Sequence, residues 1–192
     1  MTPPAGTQAL LFDCDGTLVD TLRLYKVCWH QTFGRHGFDM SDEFFTTWLG
    51  HDVYTLVGAA FPELTRDEHL AIIDEGMAMF YDSTHLLEPL EHVVEVAREY
   101  HGRIPMAVVS GGLGDAVRES LRAVGIDGLF DLVIASEDVA ATKPAPDGYL
   151  KAIAVLGVDP ARCVAYEDSG AGMDSARAAG IPTVVDVRWH AD

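Results

Sequence analysis

Two kinds of apolar patterning alternate along the chain. Unbroken apolar runs occur at Ala9-Leu10-Leu11-Phe12, Met106-Ala107-Val108-Val109, Leu132-Val133-Ile134-Ala135 and Cys163-Val164-Ala165-Tyr166, with a fifth strand-like run at Thr183-Val184-Val185-Asp186-Val187. Continuous runs, unlike alternating ones, indicate strands buried on both faces, as in a parallel sheet covered by helices. Between them the spacing predicts helices over 88–100, 115–124, 147–156 and 171–179. The last three are followed by Gly125, Gly157 and Gly180, a residue suited to a helix C-terminus. This βαβ rhythm predicts an α/β fold, doubly wound about a parallel sheet.

The rhythm fails between Thr21 and His85, where no strand-like run appears and the period turns helical. Leu22, Tyr25, Val27-Cys28 and Phe33 suggest one helix, Phe44-Phe45 with Trp48-Leu49 a second, and Val53, Leu56-Val57 and Ala60 a third. Leu70, Ile72-Ile73, Met77 and Phe80-Tyr81 suggest a fourth. The expectation is a core of residues 8–20 and 86–192 with a small helical cap, residues 21–85, inserted after the first strand. Residues 1–7, with Pro3, Pro4 and Gly6, read as a loose tail.

Composition adds limits. With 192 residues, 48% hydrophobic and 22% charged, the chain is globular and not disordered. Thirteen Lys+Arg against thirty Asp+Glu give a formal charge of −17, which argues against nucleic-acid and membrane partners. The same field would repel a small phosphorylated substrate, so a site for one needs local positive charge. Cys14, Cys28 and Cys163 form no CxxC pair, and no apolar run approaches membrane-spanning length. A soluble cytoplasmic protein is expected.

The first strand ends in Asp13-Cys14-Asp15-Gly16-Thr17, two carboxylates two residues apart where open α/β sheets hold ligands. Alone, such a pair also fits a solvated turn. The second strand ends in Ser110-Gly111-Gly112, a hydroxyl with glycines that let N–H groups approach an anion, or simply a turn. Lys143-Pro144 falls in a predicted loop, and Lys143 is one of only three lysines, which makes its placement more pointed. Glu167-Asp168 closes another strand ahead of a helix, where acidic residues can also act as caps.

In this order, Asp13 to Thr17, Ser110, Lys143 and Glu167-Asp168 resemble the four motifs of the haloacid dehalogenase superfamily. The resemblance spans the chain from Ala9 onwards. Lys143-Pro144-Ala145-Pro146-Asp147 and Tyr166 to Gly172 are similar to the β-phosphoglucomutase-like branch, whose members carry a helical cap between the first two motifs. His101 to Val108 and Val185 to Arg188 look like the small bacterial sugar phosphatases acting on fructose 1-phosphate and related compounds.

The resemblance implies a phosphomonoesterase acting on a small phosphorylated sugar. Asp13 would be the nucleophile, forming an aspartyl-phosphate, and Asp15 the acid and then the base. Ser110, Gly111, Lys143 and Thr17 would hold the phosphate; Thr17 fits a turn cap equally well. Asp13, the Asp15 carbonyl, Asp168 and Glu167, the last directly or through water, would bind Mg²⁺, since hard oxygen ligands suit it better than zinc. The superfamily's dehalogenases lack an aspartate at the position of Asp15, because halide leaves without a proton, so dehalogenation is disfavoured. Phosphonate cleavage would need a cap lysine, and Lys26 is the only one.

A β-phosphoglucomutase-type mutase is the alternative, and a catalytically idle binding or regulatory module a third reading. Mutases carry a cap arginine in a Gly-x-Ser-Arg pattern, where this chain has Gly50-His51-Asp52-Val53, and a cap histidine where this chain has Tyr25. Both departures weaken the mutase reading, though Arg23 or Arg35 could supply the charge from elsewhere in the cap, and the presence of every motif residue weakens the idle one. Tyr25, His51 and Asp52 are candidates for sugar contacts in the cap. Trp29 reads as cap core.

Overall fold

The structure is a computed structural model, and it describes residues 1–190. Five strands form one parallel sheet: β1 (Ala9–Phe12), β2 (Met106–Val109), β3 (Leu132–Ile134), β4 (Cys163–Glu167) and β5 (Thr183–Asp186), in the order β3-β2-β1-β4-β5. Register places Leu10 beside Met106 on one side and Val164 on the other. The strands are short and the three central ones are buried throughout, as their unbroken apolar runs require.

Alternate side chains of these strands feed two apolar clusters. Leu10, Phe12, Met106, Val108, Val164 and Tyr166 face one, packing with Val93 and Val94 of α5 (Glu91–Tyr100) and Val117 and Leu121 of α6 (Gly114–Ala123). Leu11, Ala107, Val109 and Ala165 face the other, packing with α7 (Asp147–Leu156) and α8 (Gly170–Ala178). Helices therefore cover both faces, as expected of a doubly wound sheet. All five strands point the same way, so residues following them gather at one edge.

Four helices lie between β1 and β2 before α5: α1 (Leu22–Arg35), α2 (Asp42–Thr47), α3 (Val53–Ala60) and α4 (Arg66–Asp82). The N-termini of α2, α3 and α4 are fixed by Ser41, Asp52 and Thr65, whose side chains accept from backbone N–H groups in the first turn. Trp29 is buried beside Phe33, matching its reading as core. The first apolar cluster runs without a break from the sheet into this insertion, through Trp29, Ile72, Met77 and Phe80.

Two expectations need correction. The helix read from residue 88 begins at Glu91, because 88–90 pair with 18–20: Asp20 N–H donates to the Glu88 carbonyl and Leu90 N–H to the Leu18 carbonyl, both at 2.9 Å. The two chain crossings between sheet and insertion are thus zipped side by side, with Val19 bridging Pro89. The N-terminal tail is also tied down. Arg162 Nη2 donates to the Gly6 carbonyl at 2.7 Å, and Tyr166 Oη to that of Met1 at 3.2 Å. Residues 191–192, the end of the expected core, lie outside the described residues. Among the described residues, no helix is long and apolar enough to cross a membrane.

Candidate active site

Asp13 follows β1 directly, and its N–H continues the ladder by donating to the Tyr166 carbonyl at 3.0 Å. The carboxylate is therefore aimed by the central strand of the sheet. Lys143 Nζ donates to Asp13 Oδ1 and to Glu167 Oε1, each at 2.6 Å, with all three groups buried. Tyr149 Oη, on the buried face of α7, donates to the same Glu167 oxygen at 2.5 Å. Burial opposes the charge on Lys143, but the two carboxylates outweigh it and hold the ammonium above its usual range.

Oxygens of Asp13, Glu167 and Asp168 lie within 4.8 Å of one another. Among the described residues, no other such group could hold a metal. Burial pushes the carboxyls of Glu167 and Asp168 up, and the charge of Asp13 pushes both the same way. With all three carboxyls ionised, the single ammonium of Lys143 would leave two negative charges in a confined space, the complement of a divalent cation. An all-oxygen donor set suits a hard cation, so these residues fit the metal that the motifs imply. Gly16 makes the turn with φ +78°, and a Cβ there would overlap the Asp168 carboxylate. A side chain at 16 would push Asp168 out of the cluster.

The Asp15 carboxylate is held by partners outside this cluster. Its Oδ1 accepts from Thr21 Oγ1 at 2.7 Å and its Oδ2 from Ser110 Oγ at 3.3 Å. Burial, reinforced by the charge of Asp13, pushes its carboxyl up to about 6, so a proton is held there under milder conditions than on an ordinary aspartate. Two carboxyls two residues apart thus have different environments: Asp13 is paired with a cation and Asp15 with two hydroxyls. That separation suits a nucleophile beside an acid.

Both line a cavity of about 100 Å³ between the strand ends and the insertion. Ser110, Gly111 and Asp168 share its floor, and Tyr25 and His51 its wall. Asp52 is not brought to it: its carboxylate caps α3 through Thr55 N–H at 2.9 Å and accepts from Thr142 Oγ1 at 2.6 Å, joining the insertion to the loop before Lys143. Thr17 is fully buried and its hydroxyl has no hydrogen-bond partner, so it neither caps the turn nor bonds a neighbouring group. The N–H of Gly112 goes to Ser110 Oγ at 3.0 Å and not to the cavity, which corrects the expectation that it faces an anion. Gly50, at φ +80°, presses against Ser169, and a Cβ on Gly111 would come within 3.1 Å of the Gly50 carbonyl. Both glycines let the insertion's 49–51 loop seat on the strand ends.

Tyr149, Thr21 and Thr142 were missed from the sequence. Tyr149 carried a usable signal, since a tyrosine on the apolar stripe of a helix needs a partner for its hydroxyl. The two threonines act through partners far away in the fold, and no local pattern reveals them.

Residues 10–185 match the family model of the haloacid dehalogenase-like hydrolases. The chain belongs to that family. Fructose-1-phosphate phosphatase YqaB of Escherichia coli is 36% identical over 186 residues, covering 93% of this chain and 95% of that protein. Validoxylamine A 7'-phosphate phosphatase of Streptomyces hygroscopicus subsp. limoneus is 30% identical, covering 91% and 83%. Among solved structures, CbbY from Rhodobacter sphaeroides in complex with phosphate superposes with a TM-score of 0.83 at 26% identity, covering 93% of this chain and 85% of that one. The chain is an enzyme, a phosphatase of the haloacid dehalogenase-like family.

Proposed function

We propose that this phosphatase hydrolyses a small phosphorylated sugar, with Mg²⁺ as its metal, through an aspartyl-phosphate on Asp13. The observation that carries the reading is the pairing at the cavity floor: Asp13 held by Lys143, and Asp15 held apart from it by Thr21 and Ser110. Names of the relatives, two of them phosphatases of phosphorylated sugars or sugar-like compounds, support the substrate class.

In the first step an Asp13 oxygen attacks phosphorus as the bond to the sugar oxygen breaks, and Asp15 gives that oxygen its proton. In the second, Asp15 takes a proton from water as the water oxygen attacks phosphorus and the bond to Asp13 breaks. Free phosphate is released, and Asp13 and the protonated Asp15 are regenerated. Lys143 and Ser110 would steady the phosphoryl oxygens beside Asp13. Asp13, Glu167 and Asp168 would hold the divalent cation, which when bound neutralises charge between the nucleophile and the phosphate. Residues 21–85 would serve as the cap over a core of residues 8–20 and 86–192, covering the site and selecting the alcohol. Three unpaired thiols support a reducing, cytoplasmic setting.

Asp13→Asn tests the reading. Purified variant should release no phosphate from a panel of sugar phosphates with Mg²⁺, while its Tm stays within a few degrees of the parent. Phosphate release at the parent's rate would overturn the covalent route. The mutase alternative is not better supported, since the position of the mutases' cap arginine is filled here by Val53 on the cavity wall.

A further inference from the structure

The cavity has two chemically different ends. At its floor lie Asp13, Asp15, Asp168 and Ser110; its wall under the insertion is Leu22, Tyr25, Trp48, Val53, Leu56 and Met77. None of the chain's thirteen lysines and arginines lines it. Lys143, the cation nearest the floor, is engaged by Asp13 and Glu167. The insertion's own four cations are placed elsewhere. Lys26 pairs with Asp42 and Arg35 with Glu75, Arg23 lines an outer hollow with Lys26 and His30, and Arg66 is exposed at the start of α4.

We infer that the leaving group accepted here is an uncharged polyol: the enzyme takes sugar or polyol monophosphates and discriminates against esters that carry a second phosphate or a carboxylate. The inference rests on the phosphatase reading and deepens it. A second anion in the wall region would lose its hydration against leucine, valine and methionine side chains, find no cation, and lie in the field of three aspartates. A polyol meets none of these costs. Its C–H face can lie on Tyr25 or Trp48, and a hydroxyl can bond to the His51 ring, the one nitrogen base on the wall. The chain's acidity thus contributes to selection: one phosphate is accommodated at the floor by the metal site and Lys143, and no second site offers the same.

Matched pairs test the inference. With divalent cation present, kcat/KM is measured for a ketohexose 1-phosphate against its 1,6-bisphosphate, and for glycerol 3-phosphate against 3-phosphoglycerate. The ester with the uncharged leaving group should be favoured by at least about 100-fold in each pair. A ratio below ten overturns the inference and leaves the phosphatase reading standing. If no ester is turned over, the phosphatase reading falls, and binding still decides the inference. Tryptophan fluorescence of Asp13→Asn, with Trp29 and Trp48 on the cavity, reports affinity for the same compounds. Monophosphates of neutral alcohols should again bind at least ten times more tightly, and equal affinities overturn the inference. Val53→Arg adds the missing cation to the wall and should narrow either ratio by about ten-fold. An unchanged ratio would show that the absent cation does not set the preference.

Discussion

Two hydrogen bonds converge on one oxygen of Glu167, from Lys143 at 2.6 Å and from Tyr149 at 2.5 Å. They fix the carboxylate about its long axis and leave Oε2 with a single distant donor, Ser169 Oγ at 3.5 Å. Tyr149 is therefore a positioning residue for the acidic cluster, and the aromatic ring beneath Lys143, 5.6 Å from Nζ, supports the ammonium as well. Tyr149→Phe keeps the ring and removes the hydroxyl, a hydrogen bond to a charged group worth about 1.5–3 kcal/mol. The expected result is a higher divalent-cation concentration for half-maximal activity and a kcat lowered by about ten-fold at saturating metal, with KM for substrate unchanged. A purely structural role would lower Tm and leave the metal requirement where it was. At this scale the sequence revealed the residues whose type and position both speak: Asp13, Asp15, Lys143, Glu167 and Asp168 follow strands or stand in a loop beside them. It could not tell a carboxylate that caps a helix from one that faces a ligand. Asp52 was read as a sugar contact, and Asp52-Val53-Tyr54-Thr55 is also a helix start, which is what the chain makes of it.

The elements were legible where one periodicity governs them. Among the described residues, the five strands and eight α-helices stand within a few residues of the positions the pattern predicts, because burial on two faces or on one stripe leaves a direct mark. The start of α5 moved because 88–90 are recruited by 18–20, a pairing across the whole insertion that no local window contains. The same kind of long-range tie joins α3 to the loop before Lys143, through Asp52 and Thr142. Burial pushes the Asp52 carboxyl up, but hydrogen bonds from Thr142 and Thr55 outweigh it and hold it below its usual value. A carboxyl lowered on folding stabilises the folded state above its unfolded value, about 3.9, and that contribution is lost as pH falls through the folded value. Asp52→Asn should thus be less stable than the parent to urea at pH 6, and the gap should shrink as pH falls below about 4. A gap independent of pH between 6 and 3 would mean that the ionised carboxylate contributes nothing to the tie.

Over the whole molecule, thirty acidic residues against thirteen basic ones leave a surface that repels itself and any anion that approaches. The sequence posed this as a conflict with a phosphorylated substrate, and the structure shows how closely the resolution is confined. Part of the acidity is gathered in Asp13, Glu167 and Asp168, where it fits a divalent cation, and the balancing lysine is buried within hydrogen-bond distance of two of them. Positive potential at the floor would therefore come only with a divalent cation held by these three residues beside Lys143, within the last few ångströms of the approach. What the sequence could not show is that the apolar cluster is continuous from Phe12 to Phe80, because the residues completing it come from both sides of the insertion boundary. That cluster has to hold the molecule together against its own charge. Salt shortens the Debye length from about 30 Å at 0.01 M to about 8 Å at 0.15 M, which spans the distances between surface carboxylates but not the buried pairs at 2.6 Å. Raising sodium chloride from 10 to 200 mM should accordingly raise Tm by several degrees and increase kcat/KM for a phosphate monoester, with the buried Lys143 pairs unaffected. A fall in both quantities would mean that exposed ion pairs such as Arg35–Glu75 and Lys26–Asp42 outweigh the general repulsion, since those are the attractions that salt would screen.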